Sequence, residues 1–140
     1  MDAIDTNIWI YSHDSRDKGK QRIALELIAA PRILALPWQV GCEFIAASRK
    51  LAPYGFTEET AWASLDEMQA MADQILVPST AHWRTGRNLI AKYRLSYWDG
   101  MLAAACLEGG VQALITEDFG GSTMIEGMKI VNPFAAAPNS

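Results

Sequence analysis

The stretch Ala3-Ile4-Asp5-Thr6-Asn7-Ile8-Trp9-Ile10-Tyr11 decides the fold class. Two apolar residues run into an acid, and Asp5-Thr6-Asn7 can cap a helix continuing through Tyr11. The segment therefore reads as the end of a short buried strand turning directly into a helix. The same alternation recurs outward along the chain. Residues 12–17 are polar loop, and a helix is predicted over 18–30, with Ile23, Leu27 and Ala30 on one face and Pro31 ending it. Residues 33–36 are a second apolar strand. Pro37 suits the first turn of a helix running to 51, with Val40, Phe44, Ala47 and Leu51 as its core stripe. A turn at Pro53-Tyr54-Gly55 leads to an acidic helix over 57–72, and residues 75–77 form a third strand. Helices over 81–94 and 97–108 follow, the second stopped by Gly109-Gly110. Residues 113–115 and 129–131 are a fourth and a fifth strand. Short apolar strands separated by helices specify an α/β fold, a parallel sheet covered on both faces.

Composition bounds the function. The chain has 140 residues, half of them hydrophobic, which is enough for a single domain. No apolar run approaches the roughly 20 residues that cross a bilayer. The N-terminus carries two Asp within five residues and no basic start, so no secretory signal is expected. Cys42 and Cys106, both in apolar surroundings, read as buried thiols, which places the chain in a reducing cytoplasm. A Gly-rich loop followed by Lys and Ser or Thr is missing, which excludes a P-loop nucleotide site. His13 and His82 lack partners at zinc spacing; His13 reads as loop and His82 as packed at a helix end. The five tryptophans read as core or interface anchors.

Four acids stand out. Ligands of open α/β sheets collect beyond the carboxyl ends of the strands, where the strand order reverses. Asp5 ends strand one, Asp118 follows strand four in Ile115-Thr116-Glu117-Asp118-Phe119, and Asp99 opens the helix after Ser96. Glu43 lies one and a half turns into the helix beyond strand two, bordering its buried stripe. Taken singly, each has a bland reading: Asp5 as a helix cap, Asp118 as a turn residue, Asp99 as part of a capping box. Glu43 resists one, because a carboxylate bordering a core needs a compensating partner. Converging carboxylates repel one another and raise their own pKa values, and a divalent cation removes that conflict. All-oxygen donors favour Mg²⁺ or Mn²⁺ over zinc.

Ile4-Asp5-Thr6-Asn7-Ile8, Cys42-Glu43-Phe44, Leu95-Ser96-Tyr97-Trp98-Asp99 and Leu114-Ile115-Thr116-Glu117-Asp118-Phe119, in this order, resemble the acidic motifs of the PIN-domain family. The resemblance is to its VapC-type toxins of toxin–antitoxin pairs in particular. It extends through Glu126-Gly127-Met128-Lys129-Ile130-Val131-Asn132-Pro133-Phe134, so residues 1–134 make one domain and 135–140 a C-terminal tail. It implies a three-layer PIN fold with sheet order 3-2-1-4-5 and RNA cleavage dependent on Mg²⁺ or Mn²⁺. Asp5, Asp99 and Asp118 match the acids that hold metal, and Glu43 one that ligates directly or through water. Thr116 matches the residue supporting the first Asp, and Asn7 a polar residue near the site. Glu117 matches none and reads as a solvated neighbour. Gly100 stands where many relatives carry Ala, which should loosen that helix start. A homodimer is implied, and a cognate antitoxin whose tail occupies the acidic groove. A catalytically silent module binding RNA or protein is the alternative.

The net charge of −4 is unfavourable for an RNA partner, but its distribution matters more. Residues 57–73 hold five acids and no base, and residues 81–98 hold four bases and no acid. Setting aside the four site acids leaves 12 acids against 12 bases. On the predicted helix, Arg84, Arg87 and Lys92 fan over the exposed side with Arg94 at its border, a candidate RNA-binding face.

Overall fold

The structure is a computed structural model describing residues 1–135; positions 136–140 of the expected tail lie outside the described residues. Its strands are β1 (Asp2–Ile4), β2 (Leu34–Pro37), β3 (Gln74–Leu76), β4 (Ala113–Ile115), β5 (Met124–Ile125) and β6 (Met128–Val131). Its helices are α1 (Thr6–Tyr11), α2 (Lys18–Ala29), α3 (Trp38–Ser48), α4 (Glu58–Met71), α5 (Ala81–Tyr93) and α6 (Tyr97–Glu108), with a 3₁₀ turn over Arg49–Tyr54.

The strands form one sheet in the order β3-β2-β1-β4-β6-β5, parallel throughout except for β5 against β6. Ala3 sits opposite both Ala35 and Leu114. All four residues of β2 are buried, as befits a strand covered on both faces. The expected order 3-2-1-4-5 holds, with β6 as the fifth strand. The addition is β5, joined to β6 by the two-residue turn Glu126-Gly127. Both turn residues have positive φ, 48° and 85°, the twist that two-residue hairpins require. The Tyr93 hydroxyl accepts from the Glu126 amide at 3.0 Å and Lys92 pairs with its carboxylate at 2.8 Å, holding a non-glycine residue there.

The α3 helix ends at Ser48, short of the expected 51, because Pro53 lacks an amide proton and its ring opposes the carbonyl four residues back. Val40, Phe44 and Leu51 of the expected stripe are buried, whereas Ala47 is only partly so. Cys106 is buried, but Cys42 is exposed, contrary to expectation. At 100° per residue it lies on the opposite side of α3 from Val40 and Phe44. Only Trp9 among the tryptophans is in the core, its indole donating to the Ile4 carbonyl at 3.1 Å. Trp38, Trp62, Trp83 and Trp98 are all more than half exposed.

Gly100 also differs from its sequence reading. It is buried where α6 crosses α5, opposite Gly86, and a Cβ there would overlap the Ile90 side chain. Its lack of a side chain lets the two helices approach, so it seats the start of α6 rather than loosening it.

Candidate functional site

The sheet order reverses between β1 and β4: the chain runs outward from β1 through β2 to β3, then returns to β4 on the other side. Asp5 and Thr116 emerge there side by side. Asp5 is the N-cap of α1, its Oδ1 accepting from the Thr6 amide at 2.7 Å, and its Oδ2 accepts from the Thr116 hydroxyl at 2.8 Å. The capping and site positions are thus one residue. Thr116 is fully buried and its oxygen also accepts from the Asp118 amide at 3.1 Å and from Asn7 Nδ2 at 3.4 Å. Asn7 Nδ2 donates to Asp118 Oδ2 at 3.0 Å. Asn7 and Thr116 therefore tie Asp5 to Asp118 across the switch point.

Glu43 comes from α3 and Asp99 from the first turn of α6. Ser96 caps α6, its hydroxyl accepting from the Asp99 amide at 3.2 Å. Gln39, unremarked in the sequence although it lies one turn before Glu43, donates from Nε2 to Glu43 Oε1 and to the Trp98 carbonyl, both at 3.0 Å. It joins the two helices that supply these acids.

Electrostatics couple all four. Asp5 is pushed up to about 6, first by burial and then by the charges of Glu43 and Asp99, with the Thr116 hydroxyl and the Thr6 amide opposing. Glu43 is raised by burial and by Asp99, with Gln39 opposing. Asp99 is raised by burial and by Asp118, with Ser96 opposing. Three neighbouring carboxyls whose ionisation is disfavoured have the donor chemistry a hard divalent cation requires. Among the described residues no three His, Cys, Asp or Glu side chains stand in a ready-made metal cage. Mg²⁺ needs none, since it retains several waters and binds through one or two carboxylates.

The expected basic face is present in part. Arg84, Arg87, Lys92 and Arg94 are all exposed, but Lys92 is engaged by Glu126. Arg94 follows α5 in a left-handed conformation at φ 55°. His82 sits at the other end of α5, donating from Nε2 to Glu108 at 2.7 Å and accepting the Ser79 amide at Nδ1. Glu117 is no solvated neighbour: Lys20 Nζ binds both its oxygens at 3.0 and 3.1 Å. Its partners lie about a hundred residues upstream, with no local signal to announce them.

Beside the acids runs an apolar groove of about 690 Å³, lined among others by Trp38, Glu43, Trp83, Tyr97 and Trp98. The tryptophans missing from the core thus gather largely on one surface next to the site.

An α/β domain with coupled carboxylates where its parallel sheet reverses defines a narrow class. The PIN domain model matches residues 3–120, and the chain belongs to the PIN-domain family. No curated protein sequence matches it. Among solved structures, a toxin–antitoxin complex from Klebsiella pneumoniae superposes with a TM-score of 0.68 at 20% identity, over 97% of this chain and 100% of that one. VapC20 of Mycobacterium tuberculosis, a toxin cleaving the sarcin–ricin loop, gives 0.70 at 14% identity, over 90% and 98% of the two chains. VapBC2 of Rickettsia felis, bound to a promoter DNA fragment, gives 0.65 at 17% identity, over 92% and 96%. At these identities the likeness is one of fold.

Proposed function

We propose that the chain is an endoribonuclease dependent on Mg²⁺ or Mn²⁺, the toxin member of a toxin–antitoxin pair. The observation that carries this reading is the geometry where the sheet order reverses: Thr116 and Asn7 tie Asp5 to Asp118, and Glu43 and Asp99 lie near enough for their charges to act on Asp5. The fold likeness to toxins of such pairs supports it. Asp5, Asp99 and Asp118 would hold the cation, one or two of them directly and the rest through its bound waters, with Glu43 joining directly or through water. A divalent ion so bound polarises a phosphodiester and eases deprotonation of water. The chain's own groups supply the positioning. Thr116 and Asn7 fix Asp5 and Asp118, while Gln39 holds one oxygen of Glu43 and leaves the other to help orient the attacking water. Arg84 and Arg87 offer charge to RNA phosphates, with Lys92 and Arg94 at the flank.

The antitoxin reading adds a competitor: a tail bearing Arg or Lys would place its cation among the same carboxylates, so antitoxin and Mn²⁺ should exclude each other. The homodimer reading finds a surface in the tryptophan groove. Lacking any Lys or Arg, the groove suits the apolar face of a second copy rather than RNA phosphates. Trp83→Glu should then shift the chain to monomer in light scattering.

Cleavage of RNA by wild type and Asp5→Ala, in Mg²⁺, Mn²⁺ and EDTA, tests the central claim. Activity should need metal and vanish in the variant. Full activity in excess chelator would sink the metal requirement, and RNA binding without cleavage in either metal would favour a silent binding module.

A further inference from the structure

Glu117 lies between two residues of the site, and its side chain is held on the other side of the same backbone. Lys20 Nζ, from α2, binds Glu117 Oε2 at 3.0 Å and Oε1 at 3.1 Å. The Tyr11 hydroxyl, from α1, donates to Oε1 at 3.2 Å and accepts from Lys20 at 3.2 Å. The ammonium also lies 4.7 Å from the centre of the Tyr11 ring and 5.2 Å from that of Phe134, which packs edge-on against Tyr11. Lys20 and Glu117 are each about one-third exposed, so this is no surface pair of freely moving side chains.

The geometry meets the site through α1. Asn7 and Tyr11 are four residues apart and share one helix face. Asn7 holds Asp118 Oδ2 and accepts from the Glu117 amide at 3.4 Å, while Tyr11 holds the Glu117 carboxylate. The segment is anchored at both ends: the Thr116 amide donates to the Val131 carbonyl at 2.9 Å, and Phe119 is buried in the core, where the packing holds its positive φ. Between these two anchors, the orientation of Glu117 and Asp118 depends on how firmly they are moored to α1 and α2.

We propose that Tyr11, Lys20 and Glu117 are positioning residues that hold the segment 116–118, and with it Asp118, in register with Asp5. The consequence for metal binding rests on the proposed function. It also has a sign that separates it from simple electrostatics. Removing the Lys20 charge leaves an extra unpaired acid beside the site, which on charge alone would strengthen cation binding. Loosening Asp118 weakens it instead, by about 10-fold, as loss of groups that orient ligands does.

The experiment compares wild type, Lys20→Met, Lys20→Arg and Glu117→Gln. In EDTA, hydrogen exchange at the amides of Glu117 and Asp118 should accelerate in Lys20→Met and Glu117→Gln, and Lys20→Arg should restore wild-type rates. In titrations with Mn²⁺ alone, Lys20→Met and Glu117→Gln should bind about 10-fold more weakly and Lys20→Arg as wild type. RNA cleavage should lose kcat with KM little changed, because the RNA face is untouched. Unaltered exchange at 116–118, or Mn²⁺ binding tightened in Lys20→Met, overturns the proposal. If wild type binds no Mn²⁺, the functional reading falls, and exchange in EDTA still decides whether the segment is moored as described.

Discussion

Replacing Asp5 by Asn should stabilise the protein in EDTA at neutral pH while abolishing cleavage. The carboxyl titrates at about 6 in the folded chain against 3.8 ordinarily, first because it is buried and then because Glu43 and Asp99 face it. An acid with a raised folded pKa makes the folded state the tighter proton binder. Its contribution to stability is therefore best below pH 3.8 and falls between there and about 6, above which it stays at its least favourable. The full difference corresponds to about 3 kcal/mol at pH 7.5, roughly half of which appears between pH 5 and 7.5. Asn cannot accept from both the Thr6 amide and the Thr116 hydroxyl, which takes back about 1 kcal/mol. A net gain of about 2 kcal/mol raises Tm by roughly 6 °C in a chain of this size. Urea unfolding of both proteins in EDTA at pH 5 and 7.5 measures it. Wild type should be the less stable at pH 7.5, by about 1.5 kcal/mol relative to pH 5, and the variant should lack most of that dependence. Equal pH dependence in the two proteins, or a variant less stable than wild type at pH 7.5, would refute the reasoning.

Three more outcomes follow from the same geometry. Asp99→Asn should leave stability within about 1 kcal/mol and remove cleavage, since the α6 cap bond uses the Ser96 hydroxyl and the Asp99 backbone amide; unfolding of the variant would make Asp99 structural. Gly100→Ala should destabilise by about 1–2 kcal/mol, because overlap with Ile90 outweighs the roughly 1 kcal/mol gained in helix propensity; a raised Tm would show the crossing to be loose. Arg84→Ala with Arg87→Ala should weaken RNA binding and reduce its log–log salt slope by about 0.7 for each phosphate left without a cation; an unchanged slope would send the RNA path elsewhere, with Arg49 and Lys50 next to test.

What could be read in the sequence was whatever is written locally. Ala3-Ile4 running into Asp5 announces a strand, a cap and an acid within three residues, and Ser96 with Asp99 announces a helix start. β5 stayed hidden because two residues carry no periodicity, and its turn uses Glu126 where Asn is the usual signal. The exposure of Cys42 was legible from its angle on α3. That of Trp38, Trp83 and Trp98 was not, because a large apolar side chain gives no sign of what will cover it. The clamp on Glu117 joins residues far apart in sequence, and only the folded chain brings them together. The carboxylates were recognisable by type and order, whereas Gln39 became visible only once α3 and α6 were side by side.

The two outer margins of the sheet have a consequence of their own. A foreign strand gains by annealing to a row of free backbone amides and carbonyls. Here one margin is the three residues of β3, and the other the two residues of β5, folded back antiparallel over the flank of β6. So short a row offers a guest strand few hydrogen bonds, and pairs of short strands are marginal in water. Growth of the sheet from molecule to molecule is thereby discouraged at both flanks. The large exposed apolar side chains Trp38, Trp62, Trp83 and Trp98 are carried instead on helices, away from the sheet's hydrogen-bonding margins.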